Sequence, residues 1–157
     1  MSCIFCEISS GEAPASFVFQ SEEVFAIMSL DQPNPYKVLV VSRIHIENIY
    51  DLSAEDAAHI FQATVKIARA VREASGCEGL NLVQSNGRAG QQDVFHFHLH
   101  LVPRFNNDNI LLSWQNTQTE RSELNRMAEE ICSKLENWDT LRKRLSYVSR
   151  RPTNYWA

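Results

Sequence analysis

Between residues 94 and 103 the chain reads VFHFHLHLVP, so His96, His98 and His100 alternate with Phe97, Leu99 and Leu101. Side chains of a β-strand point to opposite faces in turn, and the stretch therefore predicts a strand with three imidazoles on one face. The other face is wholly apolar and has to be covered. A chain carrying this strand needs a sheet and a layer packed against it.

The rest of the pattern supplies both. Residues 16–28 (SFVFQSEEVFAIM) read as two short strands with a polar turn at 20–23, and DQPNP (31–35) as a turn whose prolines cannot continue a ladder. YKVLVVS (36–42) and LNLVQS (80–85) read as strands, the second followed by the loop NGRAGQQD (86–93). Ser53 is a good N-cap with Asp56 three residues on, and Gly76 supplies a stop. Between them Ala57, Ile60, Phe61, Thr64, Val65, Ala68 and Val71 recur at helical spacing. A second helix is expected over about 119–136, with Leu124, Met127, Ile131 and Leu135 on one face. The order β-β-β-α-β-β-α predicts an α+β fold: an antiparallel sheet, a long helix packed on it, and a C-terminal helix. At 157 residues one compact unit is expected, with 1–110 as the main domain and 111–157 as a C-terminal helix and tail.

Hydrophobic residues make up 44% and charged residues 22% of the chain, ordinary globular values that exclude pervasive disorder. No apolar run approaches the ~20 residues of a membrane-spanning helix. The first basic residue is Lys37, so the N-terminal stretch lacks the positive region of a signal peptide, and a soluble cytoplasmic protein is expected. The net charge of −4 argues against a general nucleic-acid binder. Residues 142–157 carry five basic side chains and no acid, either a solvated extension or a segment that meets phosphates or an acidic surface. Trp114 and Trp138 read as packing anchors, and Tyr147, Tyr155 and Trp156 as aromatic groups that dock on the body or on another subunit.

Three histidines in five positions, from a chain with only five, point to chemistry. Imidazole gains and loses a proton near neutral pH, so the row suits acid–base work, phosphate binding or metal ligation. His59, on the first helix, reads as a solvated residue. Of the four cysteines, Cys3 and Cys6 form a C-x-x-C pair, while Cys77 and Cys132 lie far apart. The pair fits a metal site, a redox couple or two idle thiols.

HFHLHLVPR (96–104) resembles the H-φ-H-φ-H-φ-φ signature of the histidine triad family of nucleotide hydrolases and transferases. The similarity runs upstream through SNGRAGQQDVFH (85–96), DLSAED (51–56), VLVVSRIH (38–45), VFAIMSLDQPNP (24–35) and CIFCEI (3–8), covering about residues 3–105. The resemblance implies the family's fold, a homodimer and a nucleotide-derived small-molecule substrate, such as a phosphoramidate, an adenylylated compound or a dinucleoside polyphosphate. It implies that His98 attacks the α-phosphorus to form a nucleotidyl-histidine, which water then hydrolyses. His100 and Gln92 would meet the phosphate oxygens, Ser29 and Asn86 would contact the nucleotide, and His45 would support the row. A zinc-bearing branch of the family implies a structural zinc on Cys3, Cys6, His45 and His96, with no organic cofactor.

Four positions depart from the family pattern. Ser29 stands where an aspartate usually binds ribose, Ser85 with Asn86 beside it where Asn or Gln is common, Gln91 at a usual glycine, and Asp93 where Ser, Thr or Glu is common. An acid at 93 disfavours highly charged polyphosphates. Two other readings remain open at this stage: a zinc hydrolase with the metal on the histidine row itself, and a non-catalytic nucleotide-binding regulator.

Overall fold

The computed structural model describes residues 3–111 and 118–135, and its centre is one antiparallel sheet. The strands are β1 (Phe17–Gln20), β2 (Val24–Met28), β3 (Val38–Ser42), β4 (Gly79–Val83) and β5 (His98–Arg104). Their order is β1-β2-β3-β5-β4, so β5 is bordered on both sides. Leu39 and Val41 of β3 stand opposite His100 and His98, and Val83 of β4 stands opposite His100 from the other flank.

The alternation read from the sequence sorts the sheet into two cores. Phe97, Leu99 and Leu101 join Val24, Ala26, Val38 and Val40 under α2 (Ala54–Ser75), which contributes Ile60, Ala63, Ile67 and Val71. Each such side chain, fully buried, stabilises by about 1.5–3 kcal/mol relative to exposure. Ser53 caps α2 by accepting the Asp56 N–H at 3.0 Å, and Gly76 ends it in the left-handed region at φ 65°. The helix stripe is narrower than its spacing suggests, for Phe61 and Val65 are half exposed.

The opposite face of the sheet is covered by a helix that sequence reading missed, α1 (Ile4–Ser10). Its seven residues are too few for a helical period to show; only Phe5 and Ile8 are buried, against Phe25, Ile27 and Val41. Cys3 occupies its N-cap and Gly11, at φ 84°, its C-cap.

The histidine stretch differs from expectation at its start. The strand begins at His98, not at Val94, because residues 94–97 bend: the His96 N–H donates to the Val94 carbonyl at 2.8 Å and the Phe97 N–H to that of Ile46 at 2.6 Å. His96 thereby leaves the ladder and turns its ring toward α1.

Backbone contacts divide the chain into Met1–Leu111 and Leu112–Ala157. In the second unit α3 spans Arg121–Cys132, shorter than expected, with Arg126 paired to Glu123 at 2.6 Å and Glu130 at 2.5 Å. Leu124, Ile131 and Leu135, expected on one apolar face, are exposed. Trp114, Trp138 and the basic aromatic tail lie outside the described residues. No helix among the described residues is long and apolar enough to cross a membrane.

Candidate active site

His98 is buried, and its Nδ1 lies 2.6 Å from the carbonyl oxygen of His96. A carbonyl only accepts, so Nδ1 carries the proton and Nε2 keeps its lone pair. Burial holds the ring below the usual histidine pKa; the His96 carbonyl and the Asp93 charge oppose that, and the Lys37 charge reinforces it. The His100 ring stands 4.8 Å from that of His98 at 63°. Burial first, then the neighbouring His98 and Lys37, push His100 down to about 4. Both rings are neutral at pH 7. Phe5 of α1 packs on this row, its ring 5.0 Å from His98 and 5.6 Å from His96.

His96 faces a second cluster. Its Nε2 donates to the Ser42 carbonyl at 2.8 Å, which leaves the Nδ1 lone pair free. That Nδ1 is 3.3 Å from Cys3 Sγ and 3.7 Å from Cys6 Sγ, and Cys6 Sγ is 3.4 Å from His45 Nδ1. Four ligand atoms lie within 4.8 Å of one another. In tetrahedral zinc, bond lengths near 2.3 Å to sulfur and 2.05 Å to nitrogen set S and N about 3.6 Å apart, which these distances match. Burial, then the adjacent Cys3, pushes the Cys6 thiol pKa up, a penalty that a cation between the sulfurs would reverse. The donor set fits zinc. His98 and His100 stand outside it, so among the described residues the histidine row does not converge as a metal site of its own.

The loop before β5 gives the side chains of two assigned residues partners within the protein. Gln92 is buried, and its side chain is spent on loop backbone: Oε1 accepts the Gly87 N–H at 2.7 Å, while Nε2 donates to the carbonyls of Glu47 at 2.7 Å and Val94 at 3.2 Å. Asn86 Oδ1 accepts from the Ile49 N–H at 2.8 Å, and its Nδ2 donates to Gln84 at 2.6 Å. Both side chains brace the loop in this structure. Gln91, at the usual glycine, adopts φ 65°, so the left-handed turn survives without glycine. Asp93 is exposed at the end of this loop, and its charge acts on both His98 and His100. A cleft of about 400 Å³ beside the cluster is lined by Cys3, His45, Glu47 and Asp93, among others.

Ser29 is buried where β2 ends, its N–H donating to the Lys37 carbonyl at 3.0 Å. Sequence reading overlooked Lys37, although its even spacing from Leu39 and Val41 on a strand already places it on the histidine face. It also overlooked the far end of β5. There Arg104 pairs with Asp108 through Nε at 2.7 Å and a second nitrogen at 2.9 Å, and Asn34 donates to Asp108 at 2.8 Å and to the Pro103 carbonyl at 2.8 Å.

The HIT domain profile matches residues 10–107. A crystal structure of a HIT-family protein from Bacillus subtilis superposes with a TM-score of 0.82 at 33% identity, covering 87% of this chain and 99% of that one. The adenosine 5'-monophosphoramidase of Schizosaccharomyces pombe is 31% identical over 136 residues, 86% of this chain and 99% of its own. A zinc-bound histidine triad family protein from Mycobacterium smegmatis aligns with a TM-score of 0.67 at 35% identity, over 80% of this chain and 89% of that one.

Proposed function

Because the chain belongs to the HIT domain family, we propose that it hydrolyses a nucleoside phosphate derivative through His98, with an adenosine phosphoramidate as the best-supported substrate class. The observation that carries this reading is the 2.6 Å bond from His98 Nδ1 to the His96 carbonyl, which presents a neutral Nε2 as nucleophile.

In the first step the Nε2 lone pair forms a bond to the α-phosphorus, and the bond from phosphorus to the leaving nitrogen breaks with its electron pair. The leaving amine takes up a proton from solvent, and the attacking water of the second step gives one back. The His98 ring, now substituted at Nε2 and protonated at Nδ1, carries a positive charge that the His96 carbonyl and Asp93 stabilise. Water then attacks phosphorus, the P–N bond to His98 breaks, and the nucleoside monophosphate leaves. His100, beside His98, hydrogen-bonds the non-bridging oxygens as charge builds on them. Asp93 adds a negative charge that favours an amine leaving group over a polyphosphate one.

Cys3, Cys6, His45 and His96 would hold a zinc ion. Bound there by four protein ligands, the ion supplies a structural crosslink and leaves no vacancy for water. The reading also includes a homodimer, which sedimentation of the purified protein tests.

The decisive experiment is turnover of adenosine 5'-monophosphoramidate with acid and alkaline quenching. A label that survives alkali, is lost in acid and maps to the His98 peptide supports the mechanism. Placement on His96 or His100, or no turnover at all, overturns it.

A further inference from the structure

Lys37 immediately precedes β3, two residues before Leu39, which stands opposite His100. Lys37 therefore shares the face of Leu39, Val41 and the two histidines of β5, just past His100. Its carbonyl receives the Ser29 N–H at 3.0 Å, so the two residues border that end of the row together.

The backbone around Lys37 is held with unusual firmness. The Gln32 side chain clamps it on both sides, Oε1 accepting the Lys37 N–H at 2.8 Å and Nε2 donating to the Lys37 carbonyl at 2.8 Å and that of Ser29 at 2.6 Å. Tyr36, immediately before it, is held at φ 70°, a region that residues other than glycine avoid. The Lys37 side chain is half-buried and makes no ion pair among the described residues. The positive charge acts on both His98 and His100. An ammonium with no ion pair among the described residues, on a fixed backbone at the end of the histidine face, suits an anion.

We infer that Lys37 binds a phosphate group of the nucleotide, its ammonium pairing with non-bridging oxygens on the Ser29 side of the histidine row. This deepens the proposed hydrolase reading and rests on it. The ammonium makes the site selective for a phosphorylated nucleoside over the bare nucleoside. Asp93 opposes it by charge, so the site carries one cation for the phosphate and one anion toward the leaving group.

The test compares binding of AMP and of adenosine to wild type, Lys37→Met and Lys37→Arg, with steady-state turnover of adenosine 5'-monophosphoramidate on the same preparations. Loss of one charge-assisted hydrogen bond should weaken AMP about 10–100-fold in Lys37→Met and raise KM, with adenosine changed by less than about twofold. Lys37→Arg should restore most of the AMP affinity. Wild-type affinity for AMP should fall with added salt while that for adenosine stays level, a readout that needs no variant to fold. Equal weakening of AMP and adenosine, or AMP binding indifferent to both substitution and salt, overturns the assignment. Turnover by wild type with Lys37→Met unchanged would remove Lys37 alone. Absence of both turnover and AMP binding in wild type would remove the hydrolase reading with it.

Discussion

His98 hangs by Nδ1 from the backbone carbonyl of His96, whose own ring points to Cys3 and Cys6. One residue thus holds the candidate nucleophile with its main chain and the metal cluster with its side chain. An ion held by the cluster would act on His98 through position rather than through the reacting bonds.

Metal removal should reveal that separation. Cys3→Ser combined with Cys6→Ser should abolish the roughly one equivalent of zinc expected per chain and lower Tm, since metal affinity is folding free energy when the unfolded chain has no site. Turnover should fall only in part. Metal analysis, calorimetry and kinetics on one sample check this; activity that tracks zinc one for one would contradict the structural role.

Replacing the nucleophile should do the reverse. His98→Ala is expected to lose activity by several orders of magnitude, while Tm and AMP binding change little. A variant that keeps a tenth or more of wild-type activity would exclude covalent catalysis by His98.

Acid should destabilise the domain in a defined window. His100 sits at about 4 when folded, against 6.5 as its ordinary value, so the unfolded chain binds a proton that the folded one refuses between these limits. Stability from this group is fully present above pH 6.5 and declines as pH falls to about 4, by up to roughly 1.4 kcal/mol per pH unit. Urea unfolding at pH 7, 6 and 5 measures the slope, and His100→Gln should flatten it.

The far end of β5 depends on a buried amide. Asn34→Ala removes the bonds to Asp108 and to the Pro103 carbonyl and should destabilise by about 1–3 kcal/mol. The midpoint of chemical denaturation gives the value. No change would mean that Arg104 alone holds the turn.

Much of this was legible in the chain because the relevant periods are short. The alternation of His98 and His100 with Leu99 and Leu101 assigns faces without any tertiary knowledge, and Ser53 and Gly76 bracket α2 by local chemistry. What escaped depends on contacts distant in sequence. Helix α1 has only Phe5 and Ile8 to bury, too little for a pattern, and owes its place to the sheet. The bend at 94–97 follows from Ile46 and Ser42 capturing Phe97 and His96. Gln92 and Asn86 are linked to the ligand by resemblance, and the structure adds their protein partners Gly87, Glu47, Val94, Ile49 and Gln84. A side chain's hydrogen-bond partners are a tertiary property, and residue type does not disclose them.

The placement of β5 between β3 and β4 also sets where the molecule breathes. Amides of an interior strand exchange with solvent only in the larger opening events, while loops and edges exchange through local ones. His98 and His100 should therefore exchange more slowly than the loop 86–93. The two imidazoles anchored on β5 stay in register through fluctuations that rearrange the loop, so the row keeps its geometry while the loop moves.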